Sequence, residues 1–318
     1  MSCSERSAWL ARNRIYVACI WLVGYGLPLP ASAEQPPFEP SVQRLTDDGL
    51  LKRDPCFIDQ GATLVYCYDV ANDQVRMVKL DLNTQEKTPF FPDAGNKHQI
   101  EPAFSQDGRY IAFNECVGNL TARLVIRDLR QKREAYITHS GWGGTRSPTF
   151  SPVDQRIVYA FAEKGPQQLW SVNAQGEDKK QETDIAGICN WPVFTPDGAT
   201  LIYGSTRSNN YELYARDIAS SEERRLTENS VMDVRPAVSL DGERIAFTSM
   251  RDGNYEVYVM DIDGGNVRRI TNHEERDDYA TWHPDGRLLI VSEREGRFDL
   301  YLHEVADEAP VDHERDST

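Results

Sequence analysis

Pro236-Ala-Val-Ser-Leu-Asp-Gly242, continuing as Glu-Arg-Ile-Ala-Phe-Thr-Ser249, decides the fold of this chain. Asp241-Gly242 supplies the backbone geometry of a tight hairpin turn. After it, Ile245 and Phe247 alternate with Ala246 and Thr248 in the two-residue period of a strand. Arg251-Asp-Gly-Asn254 and Asp263-Gly264-Gly265 are two further turns. The spacing therefore predicts four short strands over 236–239, 244–249, 255–262 and 267–271.

The same unit recurs along the chain. Pro192-Val-Phe-Thr-Pro-Asp-Gly198, Pro102-Ala-Phe-Ser-Gln-Asp-Gly108, Pro148-Thr-Phe-Ser-Pro-Val-Asp154 and Ala280-Thr-Trp-His-Pro-Asp-Gly286 repeat it, and Pro55-Cys-Phe-Ile-Asp-Gln-Gly61 is a degenerate copy. The anchors at 55, 102, 148, 192, 236 and 280 are 47, 46, 44, 44 and 44 residues apart. A period near 44 with four strands per period is that of a β-propeller blade. A β-sandwich would not give six like anchors, and the alternation and Asp-Gly turns exclude helical repeats. The predicted fold is all-β: a six-bladed propeller of four-stranded blades over 42–305. The sixth unit supplies only three strands, over 280–283, 287–292 and 298–305. Val42-Gln-Arg-Leu-Thr46 resembles Glu223-Arg-Arg-Leu-Thr227 and Val267-Arg-Arg-Ile-Thr271. The N-terminal strand is thus expected to complete the last blade and close the ring, because an open ring would leave an unpaired edge.

The chain ends read differently. Arg6, Arg12 and Arg14 precede an apolar run from Ile15 to Leu29, and Ala31-Ser32-Ala33 stands before Glu34. This is the pattern of a cleaved secretory signal peptide over 1–33. The run is short for a membrane span and is broken by Gly24, Gly26 and Pro28. Cys19 after Tyr16-Val17-Ala18 weakly resembles a lipoprotein box, yet the apolar run continues past it. Residues 34–41 read as a short linker and 306–318 as a disordered acidic tail. Cleavage would leave 285 residues and move the net charge from −15 to −17. Such a balance argues against nucleic acid, whose phosphates need clustered Lys and Arg. The expectation is a periplasmic or secreted monomer with no transmembrane span in its mature form.

Pro-x-Phe-Ser-x-Asp-Gly, Arg-Ile-Ala-Phe-Thr-Ser, Arg-Asp-Gly-Asn-Tyr-Glu-Val-Tyr-Val-Met-Asp and Arg-Arg-Ile-Thr together resemble the TolB-type propeller repeat. The resemblance covers nearly all of 42–305. It implies a fold more than a function, since the repeat type occurs in envelope proteins, in propellers of prolyl-oligopeptidase-like hydrolases and in some polysaccharide lyases. The N-terminal α/β domain of TolB has no counterpart here, and no hydrolase domain follows the sixth unit. With propeller repeats over nearly its whole length, acids in the segments leading into the units and no catalytic motif, the chain is expected to be a protein- or peptide-binding scaffold of the cell envelope, for which the resemblance makes a Pal-like lipoprotein a conceivable partner.

The segments leading into the first strand of each unit are expected at the mouth of the central channel. They carry Asp54, Glu101, Arg146, Asn190 with Trp191, Asp233 with Arg235, and Asp277 with Asp278. These acids are read three ways: as solvated loop residues, as a seat for a basic partner segment, or as oxygen ligands for a cation such as calcium. Trp142 and Trp191 are candidate contact residues, whereas Trp282 takes the repeat's Phe position and belongs to the core. Asp261-x-Asp263-Gly264-x-Asn266 faintly resembles a calcium loop but lacks the distal Glu, so a hairpin turn is expected. Arg251 to Glu256, Arg207 to Glu212 and Arg294 to Asp299 fall at one repeat phase, an Arg–Asn–Glu phase in the first two, and this reads as structural. Cys56 and Cys67 come nearly opposite across the first hairpin, as a candidate disulfide or as inert thiols; Cys116 and Cys189 have no evident partner.

No nucleophile elbow, His-Glu-x-x-His, Cys-x-x-Cys, phosphate loop or dinucleotide fingerprint is present. No catalytic residue is assigned, and the reading favours binding over catalysis. A saccharide- or peptide-acting enzyme, or a ligand- or metal-binding propeller using channel residues, is the alternative.

Overall fold

Ile245 and Phe247 face one neighbouring blade and Ala246 faces the other, and all three are fully buried. A strand buried on both faces must read as a nearly continuous apolar run, and the second strand of each repeat does. The computed structural model describes residues 42–305 apart from 71–73, 96, 117–121 and 138–142. The signal segment 1–33, the linker 34–41, the tail 306–318 and Trp142 lie outside the described residues.

The strands form six antiparallel four-stranded sheets. Blade 6 begins the chain, with β1 (Val42–Arg44). Blade 1 is β2 (Lys52–Ile58), β3 (Thr63–Val70), β4 (Gln74–Asp81) and β5 (Lys87–Pro89). Blade 2 is β6 (His98–Phe104), β7 (Tyr110–Cys116), β8 (Ala122–Asp128) and β9 (Arg133–Ile137). Blade 3 is β10 (Arg146–Phe150), β11 (Ile157–Phe161), β12 (Gln168–Val172) and β13 (Lys180–Gln181). Blade 4 is β14 (Cys189–Phe194), β15 (Thr200–Ser205), β16 (Glu212–Asp217) and β17 (Glu223–Arg225). Blade 5 is β18 (Asp233–Val238), β19 (Arg244–Ser249), β20 (Glu256–Asp261) and β21 (Arg268–Arg269). Blade 6 resumes with β22 (Asp277–Trp282), β23 (Leu288–Arg294) and β24 (Arg297–His303).

The ring closes as the sequence predicts. β1 pairs antiparallel with β24, Val42 opposite His303 and Arg44 opposite Tyr301. The closure repeats the chemistry of an ordinary blade. In blade 5 the Thr271 hydroxyl accepts from Val257 N at 2.9 Å and donates to Glu256, and Arg269 Nε donates to Thr271 O at 2.6 Å. In blade 6, Thr46 accepts from Leu300 N at 3.0 Å and donates to Asp299 at 2.8 Å, and Arg44 Nε donates to Thr46 O at 2.7 Å. Asp299 also accepts from Lys52 Nζ at 3.2 Å; Lys52 is fully buried, with Asp48 and the Leu50 and Phe298 carbonyls as its other partners.

Six apolar clusters hold the blades together, one at each blade–blade interface. The cluster between blades 6 and 1, including Leu64, Tyr66, Leu289, Val291, Leu300 and Leu302, is as buried as the rest. Each fully buried side chain of this size contributes about 1.5–3 kcal/mol.

The hairpin turns are built by side chains. Ser239 donates to Asp241, accepts from Arg244 N at 2.9 Å, and Glu243 N donates to Asp241 at 3.0 Å. Ser105–Asp107 and Thr195–Asp197 repeat this arrangement. In blade 6, His283 stands in for the hydroxyl residue and accepts from Asp285 N at 3.2 Å. Asp261 to Asn266 is a hairpin turn too: Asp263 accepts from Gly265 N at 2.8 Å and Asn266 donates to Asp261 at 2.6 Å. The Arg–Asn–Glu phase is structural as well. Asn254 donates to the His273 and Glu275 carbonyls, and Asn210 to those of Asn229 and Val231.

One strand boundary differs from the sequence reading, and the two readings of Cys56 and Cys67 are separated. The innermost strand starts earlier than expected, at Asp233 in blade 5 and Asp277 in blade 6, because pairing resumes on the far side of a β-bulge. Cys56 and Cys67 are free thiols. The same bulge in blade 1 sets Cys56 opposite Val65 and Cys67 opposite Arg53, so the two cysteines are not directly opposed. Burial raises the pKa of both well above that of an ordinary thiol, which fits inert core residues.

Candidate functional site: the bulge ring of the central channel

Every innermost strand carries the bulge at one place. The register shifts between Arg53 and Cys56, Ile100 and Ala103, Arg146 and Thr149, Asn190 and Val193, Val234 and Ala237, and Asp278 and Thr281. The first bulged residues are Asp54, Glu101, Ser147, Trp191, Arg235 and Tyr279, with left-handed φ from 47° to 55°. A non-glycine residue there costs of order 1–3 kcal/mol and persists only where its surroundings over-determine it. Six such residues in register form a ring, and all six line a cavity of about 460 Å³ in the channel. Below them lie the repeat prolines, then smaller side chains, then Phe57, Phe104, Phe150 and Trp282.

The ring amides need acceptors; the ring supplies two of them and the residues just before it two more. Glu101 N donates to Asp54 at 3.0 Å, and Ser147 N donates to Glu101 at 3.0 Å. Asn114 Nδ2 also donates to Glu101, at 2.5 Å. Asn190 accepts from Trp191 N at 2.9 Å and Asp278 from Tyr279 N at 2.7 Å.

The two halves of the ring differ in character. On blades 1 and 2 stand the carboxylates Asp54 and Glu101. Burial and the nearby Glu101 charge push the Asp54 carboxyl up to about 7, against the pull of its bond from Glu101 N and of Arg53 and Arg235. On blades 4 to 6, the Arg235 guanidinium lies 5.3 Å from the Trp191 ring centre and 4.4 Å from that of Tyr279. A Cβ at Gly204 would sit 3.1 Å from the indole, so glycine there leaves Trp191 its room. Asp278 holds Arg235 at 3.1 Å, takes a second guanidinium from Arg276 and accepts from Thr248 at 2.7 Å. Burial, with the Asp54 charge nearby, raises the Tyr279 phenol to about 12, so it stays neutral and able to donate.

Of the residues expected at the mouth, Asp54, Glu101, Trp191 and Arg235 line the cavity. Asp233, Asp277 and Asp278 do not. Asp233 is fully buried against Arg251 at 3.0 Å, Asp277 against Arg294 at 2.9 Å, and Asp278 anchors Arg235 from behind. Arg146 gives its place on the ring to Ser147. Ser147 and Tyr279 were missed; the residue immediately before each repeat anchor was the signal. Trp282 is a core residue, 8% exposed, its indole donating to Ala237 O at 3.0 Å. Among the described residues, no three His, Cys, Asp or Glu side chains are grouped to hold a metal ion. For the calcium reading, the ring offers two carboxylates, each already accepting a backbone N–H. The described lining contains no histidine.

Comparison with known proteins agrees with this architecture. The family model of the TolB beta propeller domain matches residues 87–232 and 177–310, more than half of the chain. The chain belongs to the TolB β-propeller family. Among solved structures it is similar to TolB of Acinetobacter baumannii, at 22% identity and a TM-score of 0.57, covering 77% of this chain and 64% of that one. The chain thus spans less than two thirds of that TolB. It is similar to the TolB-like protein of Agrobacterium tumefaciens, at 18% identity and a TM-score of 0.62, covering 82% and 93%. An oligogalacturonate lyase in complex with manganese is similar at 17% identity and a TM-score of 0.59, covering 84% and 93%. At these identities the likeness is one of fold. No curated protein matches. Among the described residues no helix is long and apolar enough to cross a membrane.

Proposed function

We propose that this chain is an exported, non-catalytic propeller that binds a protein or peptide segment at the channel mouth, as a scaffold of the bacterial cell envelope. The carrying observation is the ring itself. Six strained residues converge on one cavity, and three of them are Trp, Arg and Tyr, the types that dominate binding energy at interfaces. Export rests on the signal-type sequence before Glu34, and a Pal-like lipoprotein is the partner that family likeness suggests. The test is capture of partners from envelope extract by the mature protein and by Trp191→Ala and Arg235→Gln variants. Recovery lost in both variants supports the reading; undiminished recovery ends it. N-terminal sequencing of the protein from cells is expected to begin at Glu34.

A second reading draws on Asp54. A carboxyl half-protonated near neutrality, facing Arg235 and Tyr279, is what acid–base chemistry on a saccharide or peptide would use. Turnover of such substrates by the wild type, abolished in Asp54→Asn, would replace the scaffold reading with an enzyme.

A further inference from the structure

The carboxylates near the channel fall into two groups. Asp233, Asp277 and Asp278 each meet an arginine within ion-pair distance, as do Glu212 and Glu256 one layer out. That is how a fold normally pays for a buried charge. Asp54 and Glu101, half-buried on the cavity wall, are placed differently. Among the described residues no lysine or arginine side chain lies within ion-pair distance of either. Arg53, the cation next to Asp54 in sequence, is taken by Asp69 at 2.6 Å, and Arg235 across the ring is taken by Asp278. The remaining titratable groups facing Asp54 are Tyr279 from β22, Cys56 of its own strand and Cys67 from β3. None of these supplies positive charge.

The opposite side is built for apolar contact. Trp191 packs against Tyr211 with ring centres 5.0 Å apart, Tyr255 OH lies 3.8 Å from Met232 Sδ, and Arg276 lies 4.7 Å from the Tyr255 ring centre. Tyr211 O and Tyr255 O accept from Asp233 N and Asp277 N, both at 2.8 Å, at the mouth ends of the inner strands. Aromatic contacts therefore stand at the mouth beside the ring, Trp191 with Tyr211 on blade 4 and Tyr255 with Met232 and Arg276 across blades 5 and 6. Their composition of Trp, Tyr, Met and Arg is that of an interface core.

Together these features have the charge and shape of a socket with a landing. We propose that the channel takes a peptide segment whose lysine side chain enters the cavity against Asp54 and Glu101, while its apolar neighbours lie on the Trp191–Tyr211–Tyr255–Met232 platform. This inference rests on the channel-mouth reading above and names the chemistry of its ligand. A lysine stem is apolar and thin, suited to lie along the aromatic side of the mouth, and its ammonium offers three donors to the two ring carboxylates. The lysine and the proton compete for Asp54, so binding strengthens as pH rises through 7.

Calorimetric titration with acetyl-Leu-Lys-Leu-amide, and with norleucine or glutamate in place of the lysine, tests this. The lysine peptide is expected to bind at least about tenfold more tightly than the norleucine peptide at pH 8, the scale of one charge-assisted contact. That preference should shrink at pH 6 and disappear in Asp54→Asn/Glu101→Gln. Both replacements keep an oxygen to accept the ring amides, and Glu101→Gln alone should halve the preference or more. Tyr255→Ala should weaken the lysine and norleucine peptides alike. Equal affinity for lysine and norleucine, a preference unchanged in the double variant, or no saturable binding of the lysine peptide at millimolar concentration would each overturn the inference. If partner capture from envelope extract still depends on Trp191 while lysine preference is absent, the channel-mouth reading survives and only the ligand chemistry falls. Lysine preference without a captured partner is the converse failure.

Discussion

Asp54 is the residue at which fold and function pull apart. Its carboxyl titrates near 7 in the folded chain, raised by burial and by Glu101, and near 3.9 when unfolded. Between those values the native state holds the extra proton, so this group's contribution to stability falls as pH rises from about 4 to about 7 and stays lost above it. Asparagine removes the titration and still accepts from Glu101 N. Asp54→Asn is therefore expected to be more stable than wild type at pH 8 by about 1–2 kcal/mol, after allowing for screening by channel water. The gap should close towards pH 4. Urea unfolding of the two proteins at both pH values measures it, and a variant less stable at pH 8 contradicts the assignment. A destabilising acid kept at a cavity wall is expected of a site selected for binding rather than for packing.

At the scale of the element, β1 is three exposed residues whose hold on blade 6 depends on side chains. Thr46→Ala removes the acceptor of Leu300 N and a donor to Asp299, and should cost about 1–2 kcal/mol in urea unfolding. Thr271→Ala makes the same deletion inside blade 5 and is the internal standard. A much smaller loss at Thr46 would show that β1 does not seal the ring. This closure was legible in sequence because Arg-Leu-Thr at 44–46 and Arg-Ile-Thr at 269–271 are near-copies, and the same bonds follow from them. β19 was likewise read to its ends, Arg244 and Ser249, because alternation and a side-chain-built turn delimit it. The ring was only half legible. A residue before proline is pushed towards extended backbone, and five of the six ring residues precede one. Local rules therefore give no hint of their left-handed φ. Only pairing with the next strand, on both sides of the bulge, forces that conformation. Asp233, Arg235 and Asp277 are all expected at the mouth from sequence; the bulge turns Arg235, with Tyr279, into the cavity and leaves Asp233 and Asp277 paired with arginines at the strand ends.

For the molecule as a whole, the question is whether the last interface is equal to the other five. In a closed ring no blade has a free face, so loosening one seam should lower the stability of all six blades together. Leu302 and Leu300 belong to the cluster between blades 6 and 1, and Tyr279 of the channel ring packs against that cluster. Leu302→Ala should cost about 2–5 kcal/mol, the range for emptying a buried leucine site. Ile245→Ala, at the interface of blades 4 and 5, should cost a similar amount. In both variants the urea transition is expected to stay single, with circular dichroism and tryptophan fluorescence coincident and an unchanged slope. The two should differ at the site. Tyr279 packs against the cluster that Leu302→Ala loosens, so channel binding should weaken well below the unfolding transition, while Ile245→Ala, whose cluster reaches the cavity through Val193 and Val238 below the ring, should weaken it less. A second, earlier transition confined to the seam variant would mean that the ring is fastened by its terminal strand but not truly closed. Equal binding in both variants would show that the seam supports the fold without positioning the mouth.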